Sequence, residues 1–309
     1  MPMASHLRNW LKATHQQATS LPLSPKIVRD GLATLTRQYT SDNINMAAIV
    51  NCTVAQSNIH CRIYQPELKP PHQANATHLP VILFLHGGGH LCGSIDIYDA
   101  ISRQLASCSQ AIVVTIGYRL APEHPYPAGI DDALHSLLHI HETLTTMGVP
   151  FTNSLSLVGD SAGAAMAATL VQQLQYQEKE LINKLVLIYP SLDYTLSARS
   201  LGVHGEGYLL ESKKIEWYFD QYFTENDDRH GASPLFGKLT HAHPETLVLT
   251  AQYCPIKDDG RRYYHRLLAH HVKAFYLEQP NSIHAFLNLP DLMPEASSHT
   301  YSAIAKFLS

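Results

Sequence analysis

The sequence predicts an α/β protein with a mostly parallel central sheet flanked by helices. Three observations carry that prediction. From residue 81 onward, short apolar runs alternate with longer amphipathic stretches, the rhythm of a parallel sheet covered on both faces. Gly159-Asp160-Ser161-Ala162-Gly163 joins one such run to a helix of small residues, and His86-Gly87-Gly88-Gly89 directly follows another. In parallel sheets ligands gather at the carboxyl ends of the strands, where both glycine turns fall.

The elements follow in order. Residues 7–38 carry the spacing of one or two amphipathic helices, with Pro22 and Pro25 between them and Ser24-Pro25 suited to open the second. Residues 46–65 alternate as a hairpin, Ala48 to Val54 and then Ile59 to Tyr64. Gln65 to His78 is rich in Pro, Gln and His and reads as an exposed loop. Strands fit 81–85, 111–116, 155–158, 184–189, 246–250 and 273–277; helices fit 98–107, 129–146, 162–176, 211–223, 258–270 and 293–308. Residues 191–235 break the rhythm with Gly202, Gly205 and Gly207, an amphipathic helix carrying Trp217, Tyr218, Phe219 and Tyr222, and then Ser233-Pro234-Leu235. An insertion there is placed to cover a site; a helix that only packs on the core would use the same residues. Neither a long linker nor a repeat divides the 309 residues, so a single domain is expected.

Composition excludes several classes of function. With 45% hydrophobic and 16% charged residues the chain is a globular type, and a net charge of −4 points away from nucleic acid and anionic membranes. The five cysteines (Cys52, Cys61, Cys92, Cys108, Cys254) form no C-x-x-C pair, which argues against a zinc site or a disulfide framework and for a reducing compartment. The N-terminus lacks a signal-like apolar segment and no run of 18 apolar residues occurs, so a cytoplasmic protein without a membrane span is expected. The 20 histidines show no metal-ligand spacing, and neither a metal nor a cofactor is expected.

The two turns carry chemistry. G-x-S-x-G between a strand and a helix is a nucleophile elbow, whose strained turn pushes the Ser161 hydroxyl into the open while small neighbours let strand and helix nearly touch. HGGG after a strand is an oxyanion loop, whose backbone N–H groups stabilise the charge that develops on an attacked carbonyl. A serine nucleophile needs a base. His284 lies after the last strand and before the final helix, where the base belongs in the order Ser, acid, His. His86 is the rival, but its place beside the glycines suits a structural role. Asp160 reads as structural, with its side chain turned from Ser161; Arg119 and Glu123 read as a fold-stabilising pair or network; Cys92 reads as a small buried hydrophobe near the pocket.

These residues resemble the hormone-sensitive-lipase-like branch of the α/β-hydrolase esterases, which includes bacterial acetyl esterases. The matching stretches are HGGGHLCGS at 86–94, YRLAPEHPYPA at 118–128, GDSAG at 159–163, IYPSLDYT at 188–195, GEGYLL at 205–210, SPL at 233–235 and IHAF at 283–286. The resemblance runs from about residue 5 to the C-terminus. It implies an α/β-hydrolase fold with a helical cap, built from about 1–45 and about 191–235. It implies Ser161 as nucleophile, His284 as base, and N–H groups of Gly88, Gly89 and Ala162 as the oxyanion hole. It further implies hydrolysis of short- to medium-chain acyl esters, a small-molecule ester as partner, and either a monomer or a homodimer.

One departure is chemical. The family pattern Asp-Pro-Leu-x-Asp-Glu-Gly reads here Cys254-Pro255-Ile256-Lys257-Asp258-Asp259-Gly260, so Cys254 stands at the position of the catalytic acid. Smaller departures are Gly117 for a common Asp, and Asn281 and Ala285 for usual glycines. The acid normally fixes the imidazole tautomer and stabilises the imidazolium, and its loss costs about 10⁴ in kcat in serine proteases. Three readings follow: Asp258 or Asp259 serves as substitute acid; a Ser–His dyad works slowly; or the scaffold binds a small ligand without turnover, as the plant gibberellin receptors of similar sequence do.

Overall fold

The computed structural model describes residues 3–18, 22–41, 44–69, 78–175 and 181–309. Eight strands form one sheet in the order β1-β2-β4-β3-β5-β6-β7-β8. They are β1 Met46–Thr53, β2 His60–Pro66, β3 Leu79–Leu85, β4 Ile112–Ile116, β5 Phe151–Asp160, β6 Lys184–Ile188, β7 Glu245–Tyr253 and β8 Ala274–Ile283. The β1–β2 hairpin and the β2–β4 pair are antiparallel, and every other neighbouring pair is parallel. The run Val81 to Leu85 and all of β4 are buried, as a parallel sheet covered on both faces requires. Helices α3 (Asp99–Ser109) and α10 (Pro294–Leu308) pack together and against the sheet; α4 (Ala128–Thr146) and α5 (Ala162–Leu174) form another packed pair.

The small residues of the elbow are sterically required. A Cβ on Gly163 would meet the carbonyl oxygen of Leu85 at 2.0 Å, and one on Gly159 would meet that of Gly163 at 2.4 Å. Helix α5 therefore lies directly on the ends of β3 and β5, which fixes the serine turn beside the glycine loop.

Before the sheet come α1 (Ser5–Ala18) and α2 (Pro25–Gln38). Ser24 caps α2, its Oγ accepting from Ile27 N–H at 3.3 Å, with Pro25 in the first turn as its fixed φ favours. Residues 191–235 hold α6 (Ser200–His204), α7 (Ser212–Tyr222) and α8 (Arg229–Ala232), before α9 (Lys257–Ala269) follows β7.

Several expectations need correction. Strands β5 and β8 are longer than 155–158 and 273–277. Polar Glu278 to Ser282 carry no strand pattern, yet the ladder to β7 reaches Tyr253 opposite Ile283 and holds them extended. Arg119 and Glu123 are not partners: Arg119 clamps Asp132 and Glu123 pairs with Arg29 of α2. The expected loop 65–78 begins inside β2, and residues 70–77 lie outside the described residues. Cys52 and Cys61 face each other across the hairpin as free thiols, Sγ to Sγ 3.2 Å. Among the described residues no helix is long and apolar enough to cross a membrane, and no cluster of His, Cys, Asp and Glu has the makings of a metal site.

Candidate active site

Ser161 occupies the turn from β5 into α5 with φ 52° and ψ −116°, a conformation that L-residues avoid. The turn is held from both sides: Ser161 N–H donates to Ile188 O at 2.9 Å, and Ser191 N–H donates to Ser161 O at 3.3 Å. Its Oγ lies 2.8 Å from Nε2 of His284, which follows the last residue of β8. The other ring nitrogen, Nδ1, lies 3.2 Å from Sγ of Cys254, just beyond β7. The topology thus brings Ser161, His284 and Cys254 into one line, and all three are buried.

It does not bring Asp258 there. The Asp258 carboxylate accepts from Ser200 N–H at 3.0 Å, and Asp259 accepts from the N–H groups of Leu192 and Asp193 at 3.0 and 3.1 Å. The expectation that Asp258 or Asp259 replaces the acid is therefore corrected. Cys254 precedes α9 and turns toward the imidazole, whereas both aspartates belong to the first turn of α9 and anchor the segment after β6.

Burial controls the electrostatics. It pushes the Cys254 thiol far up and holds His284 down at about 3, with the nearby charge of Lys214 pressing the same way. Both groups are therefore neutral near pH 7. A thiol accepting from Nδ1–H leaves the Nε2 lone pair for the serine proton, the arrangement a general base needs.

The glycine loop 86–89 is the better-braced half. Gly87 N–H donates to Asp160 Oδ1 at 2.6 Å, so it is consumed by the fold. No hydrogen bond among the described residues uses the N–H of Gly88, Gly89 or Ala162. Gly88 has φ 120° and a Cβ there would meet Cys92 O at 2.2 Å, so only glycine fits. His86 takes the structural role: its Nδ1 meets Gly87 O at 2.8 Å, and its ring is stacked on Tyr98 and Tyr118. Asp160 is wholly buried beneath this loop, which raises its carboxyl to about 7.

The family profile for the α/β-hydrolase fold matches residues 82–288. The chain belongs to that family. The ethyl acetate hydrolase of Pseudomonas putida is 34% identical over 238 residues, 76% of this chain and 73% of the relative. Carboxylesterase NlhH of Mycobacterium tuberculosis is 31% identical over 254 residues, 81% of this chain and 77% of that one. An α/β-hydrolase enzyme from the metagenome of Lake Arreo, Spain, superposes with a TM-score of 0.89 at 30% identity, covering 99% of this chain and 97% of its own. With these relatives the α/β hydrolase described here stands in the hormone-sensitive-lipase-like branch, as a carboxylic ester hydrolase.

In this α/β hydrolase a cavity of about 1110 Å³ opens over Ser161 and His284. Its walls come from Leu11 of α1, Val28 and Leu32 of α2, and Ile215, Tyr218 and Phe219 of α7, together with Gly88, Gly89 and Cys92. Sequence reasoning missed three contributors. Arg29 donates to Leu91 O at 2.8 Å and Ala121 O at 2.9 Å, tying α2 to the segment that follows the glycine loop. His90 stacks on Tyr222 of α7 at 3.8 Å between centroids, tying the loop to the insertion. Lys214 lines the cavity itself. A cation on an amphipathic helix ordinarily reads as solvated, so no local signal marked Arg29 or Lys214.

Proposed function

We propose that this carboxylic ester hydrolase is a serine esterase acting on short- to medium-chain acyl esters through an acyl-enzyme. Ser161 Oγ attacks the carbonyl while His284 Nε2 takes its proton. The N–H groups of Gly88, Gly89 and Ala162 hold the oxyanion, and His284 returns the proton to the leaving alcohol. Water then attacks the acyl-enzyme by the same route and frees the acid. Helices α1 and α2 and the segment 191–235 act as the cap, and the apolar cavity beneath them takes the acyl or alcohol chain.

The observation that carries the reading is the 2.8 Å contact of Ser161 Oγ with His284 Nε2 beside an unoccupied set of backbone donors. Cys254 keeps the geometry of the third member without its charge. It orients the imidazole and leaves the imidazolium uncompensated, so turnover is slower than in an aspartate triad. The ligand-binding reading draws on the same neutral Cys254, and one experiment separates the two. Hydrolysis of p-nitrophenyl acetate, butyrate and octanoate is measured with Ser161→Ala as blank. Turnover that disappears in the blank is expected, and its acyl-length profile sizes the pocket. Rates equal to the blank on all three esters would leave ligand binding as the function.

A further inference from the structure

Lys214 is placed against two physical preferences. It sits in the first turn of α7, where the helix dipole disfavours a cation. It also lines the cavity of Ser161 and His284, where desolvation is the dominant influence on its ammonium and lowers its proton affinity. Yet no ion pair or hydrogen bond among the described residues engages Nζ, which lies over the Tyr218 ring, 5.8 Å to the centroid, and within electrostatic reach of Cys92 and His284. Glu211, the nearby carboxylate whose field reaches Lys214, is engaged by His15 at 2.7 Å and by Gly207 N–H at 3.1 Å. Of the cavity's other charged side chains, Glu206 and Lys213 are exposed, and the buried Asp160 carboxyl accepts from Gly87 N–H.

The helix end around Lys214 is also open. The Glu211 side chain makes no cap bond, Ser212 N–H goes to Gly205 O at 2.9 Å, and no acceptor among the described residues meets the N–H of Lys213 or Lys214. A helix N-terminus whose first N–H groups meet no acceptor among the described residues, beside a half-buried ammonium without an ion-pair partner, suits an anion. The anion would bind close to the chemistry. The Tyr218 ring lies directly on the oxyanion loop, within 2.9 Å of where a Gly89 Cβ would stand, and Lys214 lies over that ring.

We propose that Lys214 and the first turn of α7 bind a carboxylate carried by the substrate, so that the preferred esters are half-esters of short dicarboxylic acids. This rests on the ester-hydrolase reading of Ser161 and His284. A neutral ester gives the half-buried ammonium no counter-charge, whereas a half-ester pairs it while its carbonyl lies at the oxyanion loop. Lys214 thereby determines specificity rather than taking part in bond breaking.

The test compares monomethyl glutarate with methyl valerate, which has a methyl in place of the carboxylate, by titrating the acid released. Wild type should favour the half-ester by at least about tenfold in kcat/KM, the value of one charge-assisted hydrogen bond. That ratio should collapse in Lys214→Met and recover in Lys214→Arg. A ratio near one or below in wild type, or one equal in wild type and Lys214→Met, overturns the proposal. Thermal shift with monomethyl glutarate is run in parallel on Ser161→Ala and on Ser161→Ala/Lys214→Met. If wild type hydrolyses neither ester, stabilisation seen only with Lys214 present upholds the anion site while ester hydrolysis fails. No stabilisation in either variant removes the anion site.

Discussion

On the β3–β5 side of the site each part is held by several others. Gly87 hangs on Asp160, His86 is stacked between Tyr98 and Tyr118, and Arg29 reaches across from α2 to the carbonyls behind the loop. On the β7–β8 side His284 rests on one sulfur at 3.2 Å and the edge of Tyr189, ring centroids 5.0 Å apart. Both halves position their groups, but only the first is also electrostatically complete. The difference separates two duties that an aspartate normally performs together. Orientation of the imidazole needs an acceptor at the right place, and Cys254 is one. Compensation of the imidazolium needs a charge, and burial keeps Cys254 from carrying one.

The sharpest way to break this comparison is to restore the charge. Cys254→Asp should raise kcat on p-nitrophenyl butyrate by about 10³–10⁴, the inverse of the loss when a triad acid is neutralised. An unchanged kcat in a folded variant would mean that the imidazolium is compensated elsewhere. Damage to the complete half should cost less than that gain. Gly88→Ala forces a Cβ to within 2.2 Å of a backbone oxygen and demands φ 120° of alanine. It should lower kcat by about 10²–10³, as loss of an oxyanion donor does, with a smaller change in KM. Gly31→Ala, where a Cβ would meet nothing within 4 Å, is the matched control in α2.

The same asymmetry governed what could be read from the sequence. The well-built half was legible because its chemistry is local: GDSAG and HGGG each need their small residues within a few positions, and the clashes at Gly159, Gly163 and Gly88 show why. The alternating strands and helices from residue 81 were legible because buried parallel strands are continuous apolar runs. The other half depends on contacts distant in the chain. Cys254 was visible only as a misfit in a motif, and the path of Asp258 away from His284 was not, because Ser200 claims its carboxylate from 58 residues away. The polar end of β8 and the bonds of Arg29 are likewise set by tertiary partners, and the place of Lys214 in the cavity wall by how α7 packs.

Asp160 tests the complete half through stability. Asp160→Ala leaves the buried Gly87 N–H without its acceptor, and the expected loss is about 1–3 kcal/mol in urea unfolding. Asp160→Asn keeps an acceptor for Gly87 and should lose less. Equal losses in the two variants would show that the carboxyl is needed for something other than this hydrogen bond.

The smallest effect, the pH profile, distinguishes the halves most finely, because one titrating group belongs to each. His284 is held at about 3, so its base form is fully populated at every pH well above that value. On its account kcat/KM of the wild type should not fall between pH 8 and pH 5. A carboxylate at position 254 favours the imidazolium and raises that pKa, so Cys254→Asp should regain an acid limb nearer the ordinary imidazole range. Asp160, raised to about 7, is the group in the other half whose ionisation can bend the same profile. An inflection near pH 7 that vanishes in Asp160→Asn belongs to the loop. An acid limb near the ordinary imidazole value that survives Asp160→Asn while Cys254 is retained would mean that His284 titrates as a solvated imidazole. Its partner Cys254 could then not be the neutral, desolvated acceptor described here, and the contrast between the two halves would fail at its chemical core.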